Sequence, residues 1–479
     1  MSDPNHQKEA SIDTYSEVFR KQRAKALTLR TERLNERTKR LKKLQLWIEK
    51  NQKAIQDAVY RDFKKPALEV NITEIYPVLT EIKHALLHLK NWAKPKKVDA
   101  PVSMLGTTSF IRYEPKGVCL IIAPWNFPFN LAVGPLVSAL AAGNTVILKP
   151  SEMTRYTSEL IDSMIGDIFT EDEVRVFNGG VDVSQALLQL PFDHIFFTGS
   201  PAVGKHVMRA AAENLTSVTL ELGGKSPAIV DETANIKDTA EKIAWGKFIN
   251  NGQTCVAPDY VLIHPLVKGA FIDQLKLASQ RLFNHDGQGF QQSKDYARII
   301  NNNHFNRLDG LIKDAVEKGA NIVMGGNLVS EDRFIPPTVL TDVAEDARIL
   351  EEEIFGPVLP VVEYSSIEDV IQTVNNKPKP LALYYFGQSN KNKRAILNAT
   401  SSGAVCINEC VLHFNHPNLP FGGVNNSGMG KSHGWYGFLA FSNEKPVLRQ
   451  RIGFTTTKTV YPPYNNRVKS IVKLLTKYF

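Results

Sequence analysis

Three short apolar runs limit the folds open to this chain more than any other feature. Val118-Cys119-Leu120-Ile121-Ile122, Thr145-Val146-Ile147-Leu148 and Ile195-Phe196-Phe197 lack the alternation that one wet face would impose. Each is short, and the first is closed by Pro124, as expected of strands buried on both faces. Segments with helical character, 155–169 and 203–213, lie between and after them. Strand, helix, strand alternation predicts an α/β fold: a parallel sheet with helices on both faces. Ligands of such sheets sit outside the carboxyl ends of the strands, so the loops after these runs are where chemistry is expected.

A second α/β block is expected over 223–434. It includes Tyr260-Val261-Leu262-Ile263, a helix over 303–318 and the run Val358-Leu359-Pro360-Val361-Val362. At 479 residues the chain exceeds what one core usually serves, so two or three domains are expected. Toward the N-terminus, 14–63 reads as helical. Leu27, Leu34, Leu41, Ile48 and Ile55 recur every seven residues, but Leu44, Leu46 and Trp47 widen the stripe beyond a coiled-coil seam, so an amphipathic helix or a pair lying on a domain is expected. A further helical stretch covers 67–92.

The longest apolar stretch, 131–148, carries Gly134, Pro135, Gly143 and Asn144. These suit a buried helix, a turn and a strand better than a membrane span. Four cysteines are too few for a disulfide framework and no apolar leader follows the first Met, so a cytoplasmic location is expected. Formal net charge is +8, and 20–43 alone holds eleven Lys/Arg against two Glu. The remainder is close to neutral, which argues for a solvated helix face and against a nucleic-acid partner.

Six clusters carry candidate chemistry. In Pro124-Trp125-Asn126-Phe127-Pro128 two prolines pin the backbone, and a fixed Asn126 amide can stabilise an oxyanion. In Lys149-Pro150-Ser151-Glu152 the Lys can reach ribose or phosphate and the Glu a 2′-hydroxyl, or the segment is simply a capped turn. Gly199, Ser200 and Gly204 open a helix whose free N–H groups can meet a pyrophosphate. Glu221 stands at an apolar strand end, where desolvation would raise its pKa toward that of a useful base, unless a salt bridge explains it. Cys255 follows a helix ending near Gly252, and is a nucleophile or an inert core thiol. Glu353 and Phe355 flank a rigid turn, placed to hold a ribose and pack near a nicotinamide, or to end a helix. Cys406, Cys410, His413 and His416 have spacing that invites zinc, but the His-x-x-His part is short for a structural site, and no metal is expected.

Taken in order, the six clusters resemble the aldehyde dehydrogenase superfamily from about Leu27 to about Tyr464. The lead-in, Ala244-Trp-Gly-Lys-Phe248, Cys255-Val-Ala-Pro-Asp-Tyr260, Leu419-Pro-Phe-Gly-Gly423 and Tyr461-Pro-Pro-Tyr464 are similar to the class 3 branch, which acts on fatty or aromatic aldehydes. The resemblance implies Cys255 as nucleophile, Glu221 as general base and Asn126 as half of the oxyanion hole. It implies Trp125, Lys149, Glu152, Gly199, Ser200, Gly204, Glu353 and Phe355 as contacts to NAD, with NADP as the alternative cofactor. The implied fold has a Rossmann-type nucleotide-binding domain (1–92 and 117–222), an α/β catalytic domain (223–435) and a small β oligomerisation arm (93–116 and 436–465) that builds a homodimer. An amphipathic tail at 466–479 would cover the substrate entrance, touch a membrane surface or pack on the dimer. A catalytically inactive structural or nucleic-acid-binding protein on the same fold is the alternative, against which intact Cys255, Glu221 and Asn126 count.

Overall fold

The three apolar runs pair with one another. In the computed structural model, which describes residues 12–478, Val118–Ile122 lies between Thr145–Lys149 and His194–Gly199 and parallel to both. Val174–Val176 extends one edge and Ser217–Leu222 the other, again parallel. The short Gly428–Met429 closes the six-stranded sheet antiparallel to Ser217–Leu222. Alternate residues of the central strand serve two different cores. Cys119 and Ile121 join one core with the helices Leu34–Lys50, Gln52–Phe63, Tyr76–Trp92 and Asn130–Ala142. Val118, Leu120 and Ile122 join the other, with Ile12–Leu29 and Pro201–Glu213. Burial on both faces is why these runs carry no alternation.

The seven-residue leucine spacing is divided among three helices, one more than the expected pair. Leu41, Ile48 and Ile55 are fully buried, whereas Leu27 is 61% exposed. The chain turns between Leu29 and Leu34 and again at Asn51, so the first helix packs on the opposite face of the sheet from the next two. Part of the basic stretch is tied to the acidic turn 171–173: Lys21 reaches Glu171 at 2.7 Å and Arg40 reaches Glu173 at 2.8 Å. Arg37 is buried and donates to the Ala141 carbonyl. Arg20, Arg23, Arg30, Arg33, Lys39, Lys42 and Lys43 are exposed, as expected of a solvated helix face.

A seven-stranded sheet forms the second block, in the order Asn321–Met324, Thr338–Thr341, Val358–Glu363, Tyr260–Ile263, Pro227–Val230, Ala382–Phe386, Ala404–Ile407. All its pairings are parallel except that of the Asn321–Met324 edge. A third, antiparallel sheet stands apart: Lys96–Val98, Thr107–Pro115 and Ser442–Gln450.

The apolar stretch 131–148 resolves into the helix Asn130–Ala142, a left-handed Gly143 and the strand Thr145–Lys149. Among the described residues no helix is long and apolar enough to cross a membrane. The tail forms the helix Asn466–Tyr478, with Val468 buried against the Thr456–Val460 turn. Phe479 and the lead-in at 1–11 lie outside the described residues. The four residues of the zinc-like set do not converge on one point. Cys406 lies 3.2 Å from His413 Nδ1, the Cys410 thiol donates to the Lys242 carbonyl, and His416 Nδ1 accepts from Asn418 N–H. Among the described residues no cluster of three or more His, Cys, Asp or Glu has metal-holding geometry.

Candidate active site

A cavity of about 760 Å³ opens beyond the carboxyl ends of the first sheet and reaches the second block. Its walls bring together Trp125, Asn126, Gly199, Ser200, Glu221, Cys255, Glu353 and Phe355, eight of the eleven residues singled out in the sequence. Lys149 and Glu152 lie elsewhere, at the end of the Thr145–Lys149 strand, and Glu152 lines a separate cleft of about 660 Å³ with Ser151, Arg155 and Asn178. Gly204 sits within the helix Pro201–Glu213, packed against Leu222.

The nucleophile loop is shaped by an unusual backbone. After the helix Ile236–Phe248, Asn250, Asn251 and Gly252 are all left-handed, with φ of 54°, 55° and 71°. Asn tolerates this region better than most residues, and Gly best of all. At Gly252 a Cβ would stand 2.2 Å from the Gly356 carbonyl oxygen, so no side chain fits. This close approach pins the Cys255 loop to the Glu353–Phe355 loop. Cys255 is half-buried and faces the cavity. Burial, then the charges of Glu353 and Glu221, push its thiol up to about 12.

Asn126 is oriented from two sides. Its Nδ2 donates to the Gln253 carbonyl at 3.0 Å, and its own backbone carbonyl accepts from Asn250 Nδ2 at 2.9 Å. One amide N–H is thereby committed, leaving the other for the cavity that Asn126 lines.

Glu221 extends from the Ser217–Leu222 strand, 6% exposed. Ser432 Oγ donates to its Oε1 at 2.8 Å, while Oε2 is buried with no partner. Burial raises its pKa to about 8, against the opposing effects of Ser432 and Lys431. Among the described residues no salt bridge satisfies it. Glu353 is likewise raised to about 8, by burial and then by Asp259. Its carboxylate lies over Gly223, where a Cβ would come within 2.2 Å of Oε2.

The residues at the strand ends fit a dinucleotide. Ser200 caps the helix Pro201–Glu213 by accepting from Val203 N–H, and Pro201 occupies its first turn. Pro201 has no N–H, and the Val203 and Gly204 N–H groups donate to Ser200, which leaves the Ala202 N–H of the first turn for an anion. Lys149 is buried with its ammonium 2.7 Å from Glu152. Trp125 and Phe355 meet edge to face at 5.3 Å, giving an aromatic wall beside Cys255.

Several residues given no role by the sequence complete the site. Arg307 donates to the carbonyls of Glu353 and Ile354 and so holds that loop. Ser432 orients Glu221 across 211 positions of sequence, and an isolated Ser gives no signal of this. Gln253 is fully buried, accepting from Ile300 N–H through Oε1 and donating to Asn250 and Arg298 carbonyls through Nε2. A polar amide two residues before a candidate nucleophile was the one available clue. Phe414, Phe421 and His433 form an aromatic wall, with Phe421 and His433 stacked at 5.1 Å.

Comparison with known proteins agrees with this geometry. The family model described as "Aldehyde dehydrogenase family" matches residues 5–447. The chain is 45% identical over 448 residues to 4,4'-diaponeurosporen-aldehyde dehydrogenase of Staphylococcus aureus, covering 93% of this chain and 95% of that protein. It is 44% identical over 476 residues to a probable coniferyl aldehyde dehydrogenase of Pseudomonas aeruginosa, covering 99% and 98%. It is 41% identical over 457 residues to the dimeric NADP-preferring aldehyde dehydrogenase of Rattus norvegicus, covering 94% and 98%. Among solved structures, the substrate-bound AldH of Staphylococcus aureus superposes with a TM-score of 0.92 at 43% identity, over 96% of this chain and 99% of that one. The NAD+ complex of an aldehyde dehydrogenase from Bacillus cereus superposes with a TM-score of 0.83 at 28% identity, over 92% and 90%. The chain belongs to the aldehyde dehydrogenase family and is an NAD(P)-dependent enzyme that oxidises aldehydes.

Proposed function

We propose that Cys255 attacks the aldehyde carbon, that Asn126 holds the oxyanion, and that Glu221 activates the water that releases the acid. One observation carries this reading: a sulfur, an amide and an unpaired buried carboxylate from three distant stretches line one cavity. The Cys255 thiol gives its proton to solvent water as its sulfur bonds to the carbonyl carbon. The carbonyl oxygen takes the charge, facing the free N–H of Asn126 and the backbone N–H of Cys255. Bound NAD(P)+ supplies the hydride acceptor that makes the carbon a thioester. Glu221 then removes a proton from water, the hydroxide adds to the thioester, and the sulfur departs to leave a carboxylate. Cys255→Ala should abolish NAD(P)H production from aldehydes while the thermal melt is unchanged; retained turnover would refute the assignment.

The cofactor reading extends over both cavities. Gly199, Ser200 and Gly204, at the start of the helix Pro201–Glu213, would meet the pyrophosphate, with Lys149 and Glu152 at the adenosine ribose. Glu353 would hold the nicotinamide ribose beside Trp125 and Phe355. Glu152 opposes a 2′-phosphate, but Lys149 stands 2.7 Å away and offsets its charge. NAD is therefore favoured and NADP accepted. Steady-state rates with each cofactor test this.

Substrates are medium- or long-chain aliphatic or aromatic aldehydes. The Phe414, Phe421 and His433 wall supports this, as do the diaponeurosporen-aldehyde and coniferyl aldehyde in the names of two relatives. The domain division proposed is 1–92 with 117–222 for nucleotide binding, 223–435 for catalysis and 93–116 with 436–465 for the arm, with Gly428–Met429 crossing back to the first sheet. The arm exposes Val102, Leu105, Leu448 and Ile452, an apolar surface suited to homodimer formation. The dimeric relative agrees. Four unpaired cysteines fit a cytoplasmic location. The ion pairs that engage the basic stretch favour no nucleic-acid partner. On the tail, exposed Val472, Leu474 and Tyr478 lie among Lys469, Lys473 and Lys477, which suits peripheral contact with an anionic membrane; vesicle co-sedimentation at varied salt tests it.

A further inference from the structure

The helix that follows Lys65 is not a plain α-helix. Between Ala67–Val70 and Tyr76–Trp92 the chain makes a π turn, Asn71–Ile75, closed by Tyr76 N–H donating to the Asn71 carbonyl. A widened turn lets residues five apart share a face, and such turns cluster at functional positions. Here the pair is Glu69 and Glu74, and both look inward. Glu74 is fully buried, 2.9 Å from the fully buried ammonium of Lys65.

These three side chains touch both loops that build the oxyanion pocket. Lys65 Nζ stands 4.1 Å over the Phe127 ring, next in sequence to Asn126. Glu74 Oε2 accepts from Asn130 N–H at 2.9 Å, at the far end of the same loop. Asn130 Nδ2 also donates to the Thr73 carbonyl within the π turn. Glu69 Oε1 accepts from Asn250 N–H at 2.9 Å, on the nucleophile loop. Asn250 is left-handed there, and its Nδ2 reaches the carbonyls of both Asn126 and Gln253. The Gln253 carbonyl is also the acceptor that orients the Asn126 amide.

We infer that Glu69 is a positioning residue for the oxyanion hole. By holding Asn250 in its left-handed turn it fixes the double contact through which Asn250 sets Asn126 against the Cys255 loop. Lys65 and Glu74 hold the Asn126 loop from the same helix, so one N-terminal element sets the distance between sulfur and amide. This inference rests on Asn126 serving the oxyanion, as proposed above. Glu69 touches neither loop's reacting atoms. Its effect should therefore appear in kcat, with little change in KM or in NAD(P) affinity.

The test separates hydrogen bonding from charge. Glu69→Asp keeps the charge but is one methylene too short, and should lower kcat about tenfold to a hundredfold, the cost typical of displacing a catalytic group by about 1 Å. Glu69→Gln keeps an acceptor of the right length and should stay within about threefold of the parent, the acceptor being what matters. In an Asn126→Ala background Glu69→Asp should cost less than about threefold, because its route to the chemistry is gone. Thermal melts confirm that each variant is folded. Unchanged turnover in Asn126→Ala alone would overturn the oxyanion reading and this inference with it. A normal loss in Asn126→Ala with no loss in Glu69→Asp, an equal loss in Glu69→Gln, or full additivity of Glu69→Asp and Asn126→Ala overturns this inference alone.

Discussion

Replacing Glu221 with Gln removes the unpaired base while keeping its size and its acceptor toward Ser432. With the carboxyl raised to about 8 by burial, roughly one-tenth is ionised at pH 7 and roughly nine-tenths at pH 9. Where thioester hydrolysis limits turnover, the parent rate should then climb about tenfold across that interval. A general base is typically worth about 10² to 10⁴ in rate, or about 3 to 5 kcal/mol of barrier. Glu221→Gln should lose that much steady-state turnover and lose the rise between pH 7 and 9. Its first turnover should survive. Acyl transfer to sulfur consumes no water, and one of the charges that raise the Cys255 thiol has gone. Stopped-flow absorbance of NAD(P)H should therefore show a burst of about one equivalent per site followed by a near-flat line. A steady rate within a few fold of the parent, or a folded variant with no burst at all, would refute the reasoning.

Gly252→Ala should destabilise the fold by about 2 kcal/mol or more, from the left-handed penalty plus the clash with the Gly356 carbonyl, and should abolish turnover; denaturant melts and rate assays check both. Glu152→Gln should raise the NADP to NAD ratio of kcat/KM, since it removes the charge nearest the expected 2′-phosphate while keeping Lys149. Leu448→Glu on the exposed arm strand should shift the molecule toward monomers in sedimentation velocity, with a monomeric parent as the contrary result. Stability should fall as pH rises from 6.5 to 8.5. Glu69, Glu81, Glu221 and Glu353 are all raised by burial, to about 7, 7, 8 and 8. The native state thus holds protons that the unfolded chain has already released. Their stabilising contribution is complete below pH 4.5 and is lost through pH 7 to 8. A Tm that rises over that window would contradict this.

How much was legible in the sequence depended on where the signal resided. The buried strands announced themselves because both faces of Val118–Ile122 meet apolar cores, and Glu221 stood out because a carboxylate in such a strand is costly. The capped start of Pro201–Glu213 was readable for the same local reason, whereas Gly252 was read only as the end of a helix and its left-handed φ came with the fold. The three-helix division of 12–63 was hidden because the heptad spacing ran across two turns whose geometry depends on which face of the sheet each helix meets. The π turn at 71–75 was invisible, since Glu69 and Glu74 around it meet Lys65 and loops more than fifty residues away only in the fold. Ser432 and Arg307 gave no signal at all, because what each does is decided by a single long-range contact. Lys149 and Glu152 were recognised as a cluster, yet their separation from the Cys255 cavity could only come from the fold.

The central claim is that acyl transfer passes through the sulfur of Cys255. The most direct measurement is intact-protein and peptide mass spectrometry of Glu221→Gln, acid-quenched after mixing with NAD+ and an aromatic aldehyde. The account predicts an added acyl mass, stoichiometric with the NADH burst, on the peptide containing residue 255 and absent from Cys119, Cys406 and Cys410. A burst with no acyl adduct at that residue, or an adduct on another side chain, would contradict it.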